Sequence, residues 1–179
     1  GLVDPVPIKA MGRFYHEAVA VDPATGYVYL TEDRADGLLY RFRPDVIVRG
    51  RKRVTDMKPG DLAPGGALEA LRIVDRPAAR TQNHDTVAFA PGKSWLVDWV
   101  TIPVVDPDLD SENEGLMRRP RAAPTSTRAQ GFALGAAQFA RGEGITVHQR
   151  SLYFCATDGG RREAGQVWRL ELATGRLSL

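Results

Sequence analysis

A three-strand antiparallel meander that occurs twice, near the two ends of a 179-residue chain, predicts an all-β fold of the β-propeller kind. Three observations carry the prediction. Short runs rich in Val, Tyr and Phe show strand composition and alternation. Turn chemistry built on Asp, Pro and Gly separates them at close spacing. The later copy also repeats the order of acids and aromatics of the earlier one. A sandwich is the other architecture that such meanders build.

The first copy is "GRFYHEAVAVDPATGYVYLTEDRADGLLYRF", residues 12–42. Alternation from Tyr15 to Asp22 reads as a strand, and Asp22-Pro23-Ala24-Thr25-Gly26 as a turn into Tyr27-Val28-Tyr29-Leu30-Thr31. Asp36-Gly37 turns the chain again into Leu38–Phe42, which Pro44 closes. A loop-rich insertion, about 44–128, follows the first blade-like repeat at about 12–43. Its basic part, with Arg49, Arg51, Lys52 and Arg53, reads as a solvated loop. Strand-like "ALEALRIV" and "SWLVDWVTI" return to order, with Trp95 and Trp99 as core, and "GFALGAAQFA" holds a short helical turn. The five acids of "VVDPDLDSENEG" do not have the spacing of an EF-hand.

The second copy, at about 141–174, is "EGITVHQRSLYFCATDGGRREAGQVWRLELATG". Glu17 aligns with Glu143, Tyr29 with Phe154, Asp33 with Asp158 and Tyr40 with Trp168. Residues 1–179 thus read as a single segment of one propeller domain. The closing "ATGRLSL" reads as a turn and the start of another strand, as expected of a piece of a longer chain.

Composition excludes several function classes. A net charge of +2, from 24 Lys+Arg interspersed with 22 Asp+Glu, makes no surface for nucleic acid. One cysteine, Cys155, allows neither an internal disulfide nor a Cys/His zinc site. No apolar run is long enough for a membrane-spanning helix, and the opening "GLVDPVPIKAMG" has no signal-peptide pattern. Serine nucleophile elbows, Walker A loops and dinucleotide fingerprints are absent from the sequence.

The acids at the strand ends have two readings. In a hairpin the start of the first strand and the end of the second share one sheet edge. Glu17 is therefore expected beside Glu32 and Asp33, and Glu143 beside Asp158. If the first strands are innermost in neighbouring blades, these carboxylates converge at one mouth of the channel. There they would need neutralising by hard cations such as Ca²⁺. Alternatively, they are turn residues that cap backbone amides. Arg13 and Arg141, each just before a Glu of the pair, would bind a phosphate or pair with the acids. His16 is expected as a hydrogen-bonded neighbour, and Cys155 as buried and inert.

The segments "GRFYHEAVAVDPATGYVYLTEDRADGLLYRF", "RAQGF", "FARGEGI", "LYFCATDGG" and "GQVWRLE" resemble the PhoX family of bacterial secreted alkaline phosphatases. "VDWVTI" with the following "DPD" is similar to that family's intervening stretch, so the resemblance runs from about residue 11 to 172. It implies a fragment of a six-bladed propeller, and hydrolysis of phosphomonoesters at a calcium- and iron-containing cluster in the channel. By motif, Glu17 and Glu143 match the family's carboxylate metal ligands, and Glu32 and Asp33 fall in its acidic strand end. The family's iron-binding cysteine belongs to an N-terminal portion without a match here, and Cys155 does not occupy that motif. This segment would then supply part of a site. The resemblance further implies a periplasmic or secreted protein. An open propeller segment would pair its uncovered faces with another copy or with the missing blades. A calcium-dependent lactonase and a non-catalytic propeller scaffold are the rival functions, because the fold alone does not separate them.

Overall fold

The computed structural model describes residues 5–107 and 126–179. Its strands are β1 (His16–Val21), β2 (Val28–Glu32), β3 (Gly37–Pro44), β4 (Gly66–Ile73), β5 (Ser94–Thr101), β6 (Gln138–Phe139), β7 (Gly142–His148), β8 (Ser151–Ala156), β9 (Gln166–Glu171) and β10 (Arg176–Ser178). All pair antiparallel, in the order β1-β2-β3-β4-β5-β10-β9-β8-β7, with β6 set against the start of β3. Two four-stranded meanders are thus joined by β5. Its residues 97–101 pair with β4 and its residues 94–96 with β10. The two ends of this order, β1 and β7, lie against each other, so the sheet is nearly closed.

Local chemistry accounts for the turns. Asp22, 2% exposed, accepts from the Ala24 amide at 3.0 Å and from the Thr25 hydroxyl at 2.7 Å. Gly26, at φ +69°, supplies the left-handed step into β2. The matching β7–β8 hairpin turns on Gln149 and Arg150, both at positive φ, in the tight two-residue form that suits twisted strands.

Alternation along the strands divides the core in two. One face of the first meander contributes Tyr29, Leu39, Leu71 and Ile73, which pack against Leu152, Phe154, Trp168 and Leu170 of the second. Trp168, fully buried, has Phe139 and Phe89 edge-on at 5.5 and 6.0 Å. The other face buries Leu30, Leu38, Tyr40, Phe42 and Leu68 with Phe14 and Ile102. The first meander is therefore covered on both sides, and β2 has no exposed residue. Strand β9 alternates, with Val167 62% exposed, so the second meander is covered on one side.

Trp95 is in the core as expected, whereas Trp99 is partly buried beneath the Arg41 guanidinium, 4.3 Å from its ring centroid. The helical turn expected within "GFALGAAQFA" lies mostly before it, at Thr127–Ala133, capped by the Ser126 side chain on the Ala129 amide, and Gln138–Phe139 of that stretch is strand. Cys155 is half-buried, not buried, because its position in β8 alternates with the core residues Phe154 and Ala156. Most of the acidic run after Val104 lies outside the described residues.

Candidate functional site

Strand pairing gives the two meanders the same irregularity at the same place. In β1, His16 pairs with Glu32 but Val19 with Leu30, so Glu17 and Ala18 together face Thr31. In β7, Gly142 pairs with Ala156 but Ile145 with Phe154, so Glu143 and Gly144 face Cys155. Each is a β-bulge that starts on the glutamate and re-aims it. The register also equates Leu30 with Phe154 and Glu32 with Ala156, which shifts the second strands by one residue from the alignment that matched Tyr29 with Phe154.

The bulges are joined through Thr31. Its hydroxyl accepts from the Ala18 amide at 3.1 Å and donates to the Glu143 carbonyl at 2.7 Å. Beside it, Arg141 takes up Asp33 with two nitrogens, Nε to Oδ1 at 2.7 Å and Nη2 to Oδ2 at 3.1 Å. Nη2 also donates to Glu143 Oε1 at 3.0 Å, and Nη1 stands 3.8 Å from Asp158. The Arg141 backbone is held as well. Its amide donates to the Arg34 carbonyl at 2.9 Å, its carbonyl accepts from the Thr157 amide at 2.9 Å, and its φ is +55°.

The carboxyl groups of Glu17 and Glu143 are neighbours that act on each other's charge. Partial burial, then the neighbouring charges of Asp33 and Glu17, raise the Glu143 pKa against the pull of Arg141. The Arg141 pKa is raised in turn, first by its hydrogen bonds to Asp33. One guanidinium thus faces three carboxylates, and its own side chain remains 41% exposed.

Of the residues singled out in the sequence, Glu17, Asp33, Arg141 and Glu143 come together. Glu32 and Arg13 do not join them. Glu32 points to the opposite side of β2 and is fully buried, its Oε2 accepting from the Leu38 amide at 3.2 Å and the Tyr40 hydroxyl at 3.0 Å. Arg13 is clamped on Asp106, which Lys9 also reaches at 2.9 Å. This pair lies on a neighbouring groove of about 700 Å³ that Glu17, Phe14, Val19 and Leu30 also line. His16 stacks on Phe14 with centroids 3.7 Å apart and donates from Nε2 to the Gly12 carbonyl at 2.9 Å. Burial lowers its pKa.

The donors at the cluster are all carboxylate oxygens, the chemistry that suits hard cations such as Ca²⁺. Among the described residues, no group of three or more His, Cys, Asp or Glu is already closed around an ion position. Sequence reasoning missed Thr31, whose role depends on a contact 112 residues away, and Arg128, the countercharge of Glu32.

A model of the family described as alkaline phosphatase PhoX matches residues 2–177. The solved structure of Pseudomonas fluorescens PhoX in complex with vanadate, a transition state analogue, matches at a TM-score of 0.56 and 20% identity, covering 98% of this chain. This chain spans 32% of that one. No curated protein matches. The structural likeness shows a shared propeller-type fold, and the family match extends over nearly the whole sequence. The chain belongs to the PhoX family of alkaline phosphatases.

Proposed function

We propose that this chain supplies part of the active site of a metal-dependent alkaline phosphatase that hydrolyses phosphomonoesters. The observation that carries the proposal is Arg141, set among Asp33, Glu143 and Asp158 at the edge where both bulges turn their glutamates together, in a chain of the PhoX family. Glu17 and Glu143 would hold Ca²⁺, with Asp33 as the neighbouring carboxylate. Bound calcium would supply charge neutralisation for the phosphate oxygens. Asp33 engages Nε and Nη2 of Arg141 and so orients Nη1, which stands 3.8 Å from Asp158, for donation to a phosphate oxygen. The raised Glu143 pKa reflects partial burial first and then the neighbouring charges of Asp33 and Glu17, and a cation would offset that repulsion. Any iron would take its remaining ligands from the rest of the parent protein. The exposed Val19 and Val167 would be covered there by further blades. The family also carries export to the periplasm or the medium.

The test is hydrolysis of p-nitrophenyl phosphate at alkaline pH by the full parent chain, with and without Ca²⁺, in wild type and Glu143→Gln. The proposal expects calcium-dependent turnover that the variant loses. A folded, calcium-loaded parent that leaves the ester intact would end the phosphatase reading, and activity on lactones would then separate the hydrolase rival from a scaffold.

A further inference from the structure

Residues 31–34 form a template on which residues 141–143 are built. Thr31 holds the Glu143 carbonyl, Asp33 the Arg141 guanidinium and the Arg34 carbonyl the Arg141 amide. Gly142 lies so close to the Glu32 backbone that a Cβ there would meet Glu32 O at 3.2 Å. What fixes the template is on the far side of β2. The Glu32 carboxylate straps the turn that follows it, because it bonds the Leu38 amide and the Tyr40 hydroxyl beyond the turn. Gly37 closes the same turn, its amide donating to Arg34 O at 2.9 Å. A carboxylate with no exposed surface needs a countercharge. Arg128, from the helix Thr127–Ala133, provides it, with Nη1 3.5 Å from Glu32 Oε1 and Nε 3.2 Å from Asp36 Oδ1 in the same turn. Its side chain is only 7% exposed.

We propose that Arg128 is a positioning residue: by gripping Glu32 and Asp36 it sets the 32–37 turn, and through that turn the placement of Asp33 and Arg141. Its effect on phosphate rests on the function proposed above; its effect on the Arg141 backbone does not.

The experiment uses the full parent chain with Arg128→Met, the milder Arg128→Lys, and the paired change Glu32→Gln/Arg128→Met. Two quantities are read: amide hydrogen exchange at Arg141, with Phe154 in β8 as internal control, and affinity for inorganic phosphate. Loss of such a supporting partner is expected to speed exchange at Arg141 and weaken phosphate binding by about tenfold or more in Arg128→Met, leaving Phe154 unchanged. Lysine, a single point charge, serves Glu32 or Asp36 but not both, so Arg128→Lys gives a smaller shift in the same direction. The paired change removes the buried charge and keeps an amide within reach of Leu38 and Tyr40 but leaves Asp36 without Arg128, so it recovers both readouts in part. Should Arg128→Met fail to fold, Arg128→Lys and the paired change carry the test. Unchanged exchange at Arg141, or an equal rise at Phe154, overturns the proposal. Faster exchange confined to Arg141, in a parent that binds no phosphate even as wild type, supports the positioning role and refutes the phosphatase reading.

Discussion

Replacing Thr31 with valine keeps the side-chain shape and removes only the hydroxyl that ties the two bulges together. Thr31 is 1% exposed, so little water reaches its side of the contact. The change takes a partner from the Ala18 amide and from the Glu143 carbonyl, formerly at 3.1 and 2.7 Å. A buried polar group left unpaired costs about 1–3 kcal/mol. Both residues are half-exposed, which favours the lower end for each, and the sum is about 2–3 kcal/mol. Thr31→Ser keeps the hydroxyl and gives up one methyl group, a loss of about 1 kcal/mol. Urea unfolding of the chain tests the difference. With a slope of about 2 kcal/mol per molar, Thr31→Val should lower the midpoint by about 1 M or more, and Thr31→Ser by roughly half that, at an unchanged slope. A valine variant as stable as the wild type would refute the claim that this hydroxyl couples the bulges.

Two further effects follow from the core and from the crowded acids. Trp168→Ala removes a fully buried ring at the junction of the two meanders and should cost about 3–5 kcal/mol in the same urea experiment, while a loss below about 1 kcal/mol would mean that the blades do not depend on this contact. Glu143 has a folded pKa above its ordinary 4.5, so the fold binds its proton more tightly than the unfolded chain does. The resulting stabilisation is complete below about 4.5 and disappears as pH rises through the folded value. In metal-free buffer Glu143→Gln should therefore melt above wild type at pH 8, and the gap should narrow toward pH 4. A gap that is constant or reversed across that range would contradict the account of repelling carboxylates.

The strands were legible because alternation and turn residues are local signals. Asp22–Gly26 announces a turn, and Tyr27–Thr31 has the composition of a strand. The convergence of Glu17, Asp33 and Glu143 followed from hairpin geometry combined with the repeat. The bulges were not legible, because one extra residue in a pairing leaves no mark on composition; this also explains the one-residue shift in the alignment of the second strands. Glu32 and Asp33 look alike in the sequence, yet successive side chains of a strand face opposite sides, and only Asp33 reaches Arg141. Arg13 and Arg141 look equivalent before their glutamates. Asp106, 93 residues further along, takes the first of them away, and no local pattern foretells such a contact. Half-burial of Cys155 likewise depends on the second meander being covered on one side only.

The central claim is that the paired bulges and Arg141 make a cation and phosphate site. Calorimetric titration of the metal-free parent with Ca²⁺, then with inorganic phosphate, tests it most directly in wild type, Glu17→Gln and Glu143→Gln. The account predicts calcium binding that each substitution weakens by about tenfold or more, with phosphate binding only after calcium. Undiminished calcium binding in both variants would place the cation elsewhere and contradict the account.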